Sequence, residues 1–325
     1  MQIVYNWHIT KRCNYNCNNC KFCFAKWDNP KEIWKDQSAV HKILSELSCK
    51  EAAYQKIGKL EKSIRINFAG GEPLILYREF LAIIKLAKKM KFETSIITNG
   101  SLLNFSQDIY RYIDLLGISI DSLNTDTCRK IGRCDKSGKV LEKEQIKKLL
   151  IKARAENPNI SIKFNVTVNR HNCNECVVEQ LQEFTPNRIK VLRQLPFGNN
   201  QGITEQEYSN FLQINRSSFG ENTIVENNED MVHSYLMIDP YGRFFQNGNK
   251  DKYIYSEPIH DVGLEQALSE ICFDKKKFMS RYENMRHRFI ERFGVDFADK
   301  RNYDLVIDTS KKTPLEITEQ MLLNP

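Results

Sequence analysis

Apolar and polar positions along the chain follow two alternating rhythms. Residues 2–9 (QIVYNWHI) alternate in the manner of a strand, and SIRINFAGG (63–71) is a buried-strand pattern that stops at glycines. ETSIITNG (93–100), LLGISIDS (115–122), ISIKFNVTVN (160–169) and RIKVLRQLPFG (188–198) predict four more strands. Strand 160–169 is the clearest, with strict alternation and many β-branched residues. Between these runs the spacing turns helical, around 31–57 and over 78–90 (REFLAIIKLAKKM), 138–155 and 173–184. SYLMIDPYGRFFQN (234–247) predicts a hairpin turning at Asp-Pro-Tyr-Gly.

Strands separated by helix-length segments make repeated βαβ units and a parallel sheet. Six such units predict an α/β fold, a partial (βα)6 TIM-type barrel. It should span residues 1–275 with the hairpin included, followed by a C-terminal extension over 276–325 that begins charged and helical. No linker or low-complexity stretch divides the chain.

At 325 residues and 41% apolar content the chain can bury a sizeable core. It has no apolar run of about 18 residues and no basic, then apolar, leader pattern at MQIVYNWHIT. A cytoplasmic, reducing setting without a membrane partner is therefore expected. The ten cysteines are then better read as thiols or metal ligands than as bridges. The net charge of +7 is dispersed, with no arginine-rich arm. That argues against a stable nucleic-acid partner and leaves a phosphorylated small substrate or simply a soluble surface.

Four cysteines crowd one segment, ITKRCNYNCNNCKFCFAKW. Cys13, Cys17 and Cys20 are spaced C-x3-C-x2-C, and Cys23 follows. Three thiolates from one loop could hold a [4Fe–4S] cluster with one iron open, while all four could hold a structural zinc. Short spacing keeps the entropy cost of convergence low. About 50 residues on, Gly70-Gly71-Glu72-Pro73 follows the strand RINFA.

These flanks resemble the radical S-adenosylmethionine (SAM) superfamily, whose fold is a full or partial (βα) barrel. The resemblance implies a [4Fe–4S] cluster and SAM as cofactors. It implies three cluster ligands among Cys13, Cys17, Cys20 and Cys23. The loop is three residues longer than the usual C-x3-C-x-aromatic-C, so spacing favours Cys20 as the third ligand and the aromatic flanks favour Cys23. The resemblance also assigns Gly70, Gly71 and Glu72 to the amine of SAM, and Asn99, Ser119 and Arg133 to its ribose and carboxylate.

Further blocks narrow the likeness. NWHITKRCNYNC, RINFAGGEP, IITNGSLL, ISIDS, IGR, KFNVTVNR, RIKVLRQL, SYLMIDPYGRFFQN and DVG occur in order over about residues 3–275. Together they resemble viperin-like enzymes. Those enzymes convert a nucleoside triphosphate to its 3′-deoxy-3′,4′-didehydro analogue, which terminates viral RNA chains. The implied partners are a nucleoside triphosphate, CTP by default with UTP or GTP as alternatives, and an electron donor. The implied phosphate contacts are Arg65, Lys163 and Lys190. Tyr241 becomes the candidate donor of the last proton or hydrogen atom, and Asn228 a candidate reader of the base. Arg170 and Arg193 are weaker candidates. Two other classes stay open at this point: a molybdenum-cofactor-type cyclase acting on GTP, and a zinc-stabilised nucleic-acid binding module. Cys173 and Cys176 form a second C-x2-C without a supporting pair and read as helix-surface thiols.

Overall fold

The computed structural model describes residues 2–18, 20, 31–49, 63–105, 108–196, 202–247 and 253–278. Its sheet grows in both directions from β1 (Ile3–Thr10). On one side β2 (Ile64–Gly70), β3 (Glu93–Thr98), β4 (Leu115–Ser119), β5 (Ser161–Val168), β6 (Arg188–Arg193) and β7 (Thr223–Glu226) follow in chain order. Every neighbouring pair in that run is parallel. On the other side β8 (Leu236–Ile238) lies parallel to β1, and β9 (Arg243–Asn247) and β10 (Tyr253–Pro258) continue antiparallel. The ten strands form one open sheet whose edges are β7 and β10. All six expected strands and the hairpin are present. The short strand β7 extends the run, and the sheet is a partial barrel.

The helices are α1 (Gln37–Ser48), α2 (Tyr77–Lys89), α3 (Thr125–Ile131), α4 (Lys143–Glu156), α5 (Val177–Gln182), α6 (Glu205–Ile214), α7 (Asn228–Met231), α8 (Ile259–Val262) and α9 (Leu264–Ser269). Local chemistry sets their ends. Asp36 caps α1 by accepting from Ser38 N and Ala39 N, and Asn124 caps α3 by accepting from Asp126 N and Thr127 N. Two expected helices start later than their patterns suggested. The first begins at Lys143 rather than 138, after a turn in which Asp135 accepts from Ser137 N and Lys139 N. The second begins at Val177 rather than 173. In the 31–57 region α1 covers 37–48, and positions 50–57 lie outside the described residues. Of the expected C-terminal extension, only 276–278 are described. No helix among the described residues is long and apolar enough to cross a membrane.

The strand alternation separates two environments. Tyr5, Trp7, Ile66, Phe68, Ile162, Phe164, Ile189 and Val191 are buried on the outer face. Phe68 packs there between Trp7 and the edge-on ring of Phe80 of α2, with ring centroids 6.0 and 5.3 Å away. Each such side chain contributes roughly 1.5–3 kcal/mol through burial. The intervening positions are polar and turn to the barrel interior: Asn6, Arg65, Asn67, Lys163, Lys190 and Glu226. Register brings them level, with Asn6 opposite Asn67, Lys163 opposite Arg188 and Asn165 opposite Lys190.

Candidate active site

The cysteine loop leaves the end of β1 and is seated by backbone contacts on two other segments. From one side, Gly71 N donates to Thr10 O and Glu72 N to Arg12 O, both at 2.7 Å. A Cβ on Gly71 would stand 2.1 Å from Arg12 O, so only glycine fits. The close approach that a glycine permits is thus made first by the chain's own backbone. From the other side, Asn18 N donates to Ile131 O at 3.0 Å at the end of α3. There Gly132 closes the helix at φ +85°, and a Cβ on it would lie 2.4 Å from Asn16 O.

Two carboxylates brace this seat. Glu72 is fully buried, and its side chain accepts from Thr98 Oγ1 and Asn99 N at 2.7 Å and from Leu74 N at 3.2 Å. Burial pushes its pKa up to about 7 against those hydrogen bonds. Its carboxylate is spent on positioning the end of β3, which leaves backbone atoms as the segment's means of meeting a ligand. Glu32, which the sequence did not single out, accepts from Thr10 Oγ1 at 2.9 Å, Lys11 N at 2.8 Å and Trp34 Nε1 at 2.6 Å.

Cys13 Sγ receives Tyr15 N at 3.4 Å and stands 4.0 Å from Asn99 Nδ2. Asn99 also donates to Asn14 Oδ1 at 2.9 Å, so its amide is tied to the loop. Burial pushes Cys13 up to about 11 and Cys17 up to about 12, although Arg133 draws both down. In the metal-free chain these thiols are protonated at neutral pH, and a metal must displace protons to bind. Among the described residues no three His, Cys, Asp or Glu side chains gather around one point. Cys23, one of the two rivals for third ligand, lies outside the described residues. The donor set still fits an iron–sulfur cluster: thiols from one loop, with N–H groups directed at sulfur.

Cys17 and Cys20 line a cavity at the C-terminal ends of the strands, with His8, Asp121, Arg133 and Tyr235 among the other walls. Arg133 Nε donates to Asp121 Oδ2 at 2.5 Å, and Asp121 Oδ1 accepts from Thr167 N at 2.8 Å. Holding the guanidinium by Nε leaves its two-nitrogen edge for a carboxylate. Burial holds His8 down at about 4, so its imidazole is neutral. Ser119 ends β4 opposite Asn165 and does not line this cavity.

A second cavity lies deeper in the barrel, lined by Asn6, Arg65, Asn67, Ser95, Lys163, Arg188, Lys190, Glu226 and Tyr235. It brings together the three basic residues singled out in the sequence and adds Arg188. Arg188 was legible as the i−2 neighbour of Lys190 on the same strand face. Desolvation, then Lys190, Arg188 and Arg65, hold Lys163 well below the usual lysine range. Lys190 Nζ pairs with Glu226 Oε1 at 2.9 Å, and Tyr235 OH is hydrogen-bonded to both residues. Ser95 Oγ donates to Asn67 Oδ1 at 2.7 Å and Asn67 Nδ2 to Asn6 Oδ1 at 2.8 Å. Four basic side chains face one carboxylate here, and their mutual repulsion is what lowers Lys163 beyond burial alone.

The remaining candidates are spread more widely. Tyr241 packs with Met237 and Phe245 under the Arg243 guanidinium and lines neither cavity, because it sits in the hairpin turn beyond β8. Tyr235, six residues earlier, is the tyrosine that lines both cavities. Asn228 opens α7, reaches Gln194 O at 3.4 Å and also lines neither. Arg193 lines the cysteine cavity, where it is held by Glu205 and donates to Ile203 O, and Arg170 is exposed. Cys173 is buried with Sγ 3.4 Å from Arg170 O, so it is not a surface thiol, while Cys176 is exposed.

The profile of the radical SAM superfamily matches residues 7–172. An S-adenosylmethionine-dependent nucleotide dehydratase of Fibrobacter sp. (strain UWH6) is 40% identical over 87% of this chain and 88% of its own length. One from Psychrobacter lutiphocae is 38% identical over 87% of this chain and 95% of its own. Among solved structures, Streptococcus suis SuiB bound to S-adenosylmethionine shares the fold. It has a TM-score of 0.54 and 13% identity, over 86% of this chain and 68% of that one.

Proposed function

The chain belongs to the radical SAM superfamily and, within it, to the SAM-dependent nucleotide dehydratases; on that premise we propose that it dehydrates the ribose of a ribonucleoside triphosphate. CTP is the first candidate, with UTP and GTP as alternatives, and the product is the 3′-deoxy-3′,4′-didehydro analogue. The observation that carries this reading is the sharing of Asn6 and Tyr235 between the cation cavity and the cysteine cavity. A triphosphate of about four negative charges would sit on Arg65, Lys163, Arg188 and Lys190. Its ribose would then lie towards Asn6 and Tyr235, facing the cysteine side.

At the mouth, three of Cys13, Cys17, Cys20 and Cys23 would hold the [4Fe–4S] cluster. Arg133 would take the carboxylate of SAM, and the backbone of the Gly70–Glu72 segment its amine. Together these cofactors supply a 5′-deoxyadenosyl radical able to take the hydrogen from ribose C4′. Departure of the 3′-hydroxyl as water then consumes one proton, and the substrate radical cation left behind consumes one electron. A phenol can give both. Tyr235, hydrogen-bonded to Glu226 and Lys190, would take that role, and one electron from the electron donor with one proton from the medium would restore it. A nucleotide without a 3′-hydroxyl cannot be extended, which fits a role in antiviral defence by terminating RNA chains.

Anaerobic turnover with SAM, a reductant and each of the four ribonucleoside triphosphates tests the reading. The expected result is 5′-deoxyadenosine formed with one base, together with a product lighter by one water. A 5′-deoxyadenosine yield indifferent to all four nucleotides would contradict it. Tyr235→Phe should raise 5′-deoxyadenosine made per product, whereas Tyr241→Phe should leave that ratio unchanged.

A further inference from the structure

The outer side of the cysteine-loop seat carries a patch of positive charge. Lys130 and Ile131 offer their carbonyls to Asn18 at 3.3 and 3.0 Å, so the last turn of α3 abuts the loop directly. On that turn Arg129 and Lys130 are exposed. Arg129 Nε donates to Gly138 O at 3.2 Å, which draws the 135–139 turn against the same end of the helix. That turn adds exposed Lys136 and Lys139. The acidic residues nearby are committed: Asp126 pairs with Arg129 at 3.4 Å, and the Asp135 carboxylate accepts from Ser137 and Lys139 within the turn. Among the described residues Lys130, Lys136 and Lys139 form no ion pair within 4.0 Å. Arg12, exposed immediately before Cys13, flanks the loop at its other end.

We propose that this patch docks an acidic one-electron carrier, a flavoprotein with a carboxylate rim, that reduces the group held by the cysteine loop. The proposal rests on the radical SAM reading of that loop. Its step is a single electron: the carrier is oxidised by one, the cysteine-held group is reduced by one, and no bond forms or breaks. Such encounters use small, polar interfaces steered by opposite charge. A patch that shares a helix end with the loop brings the carrier to the one place where reduction is useful. Helix-dipole compensation accounts for Arg129 and Lys130, but not for Lys136 and Lys139 beyond the helix.

Helix α4 supplies a matched control. Lys147, Lys148 and Lys152 carry the same charge on a helix that, among the described residues, makes no hydrogen bond to the cysteine loop. Binding of oxidised flavodoxin to the full chain is measured by titration calorimetry for two triple variants, K130E/K136E/K139E and K147E/K148E/K152E. The patch variant should lose about tenfold in affinity and most of its salt dependence, and the α4 variant less than twofold. With dithionite as reductant both should make 5′-deoxyadenosine at the unaltered rate, which shows that they are folded. Equal loss in the two variants, or no loss in the first, overturns the proposal. Loss of RNA binding rather than flavodoxin binding in the patch variant also overturns it. Failure of the dithionite reaction in the unaltered chain would instead count against the dehydratase reading.

Discussion

The mouth and the floor of the barrel interior hold their chemistry by different means. At the mouth the cysteine loop is fixed by backbone: Gly71 and Glu72 amides on Thr10 and Arg12 carbonyls, and Asn18 N on Ile131 O. At the floor the cations are fixed by strand register, one side chain at a time, with Lys163 level with Arg188 and Asn165 level with Lys190. Backbone seats tolerate no added atom and concentrate in short motifs. A side-chain cluster is assembled from residues far apart in the chain and tolerates substitution, at a cost in affinity rather than in fold.

The largest expected effect breaks the mouth alone. Gly71→Ala places a Cβ 2.1 Å from the Arg12 carbonyl, so the loop must leave its seat. Iron retained after reconstitution should fall below about a tenth of the unaltered level, while the far-ultraviolet spectrum is kept. Iron content near normal would mean that the seat does not set the loop.

A smaller effect sharpens the division. Asp121→Asn removes the charge that holds Arg133 by Nε at 2.5 Å. SAM affinity, read by equilibrium dialysis on the reconstituted protein, should drop about tenfold, with nucleotide affinity unchanged. An equal drop in both would show that the two cavities are not independent.

The smallest effect is on stability. The Glu72 carboxyl is raised from 4.5 to about 7 by burial, so the folded chain holds its proton more tightly than the unfolded chain does. Its contribution is therefore full below about 4.5 and is lost as pH rises through about 7. Glu72→Gln in the metal-free chain should flatten the pH dependence of the unfolding midpoint across that window. A variant that keeps the slope would assign it to other groups.

The mouth was the more legible end. Cys13, Gly70-Gly71-Glu72 and Arg133 stand in contiguous blocks, and the six long strands announce themselves by alternation. What the sequence hid depends on parity and on short elements. Glu226 sits on β7, whose four residues, Thr223–Glu226, are too few for a strand pattern to stand out. Tyr235 shares the interior face of the hairpin arm with Met237, two residues on, whereas Tyr241 lies past the end of that arm. Counting alternate residues back from Met237 would have put Tyr235 on that face. Glu32 was invisible because its role depends on a contact between β1 and the turn at Trp34.

A triphosphate seat at the floor should work without the cofactors at the mouth. Calorimetric titration of the metal-free chain with CTP and with CMP tests it most directly, repeated in Arg65→Ala and Lys163→Ala. The triphosphate should bind more tightly than the monophosphate by about 30-fold or more, and each substitution should remove at least about tenfold of that margin. An equal affinity for both nucleotides, or a margin untouched by either substitution, would contradict it.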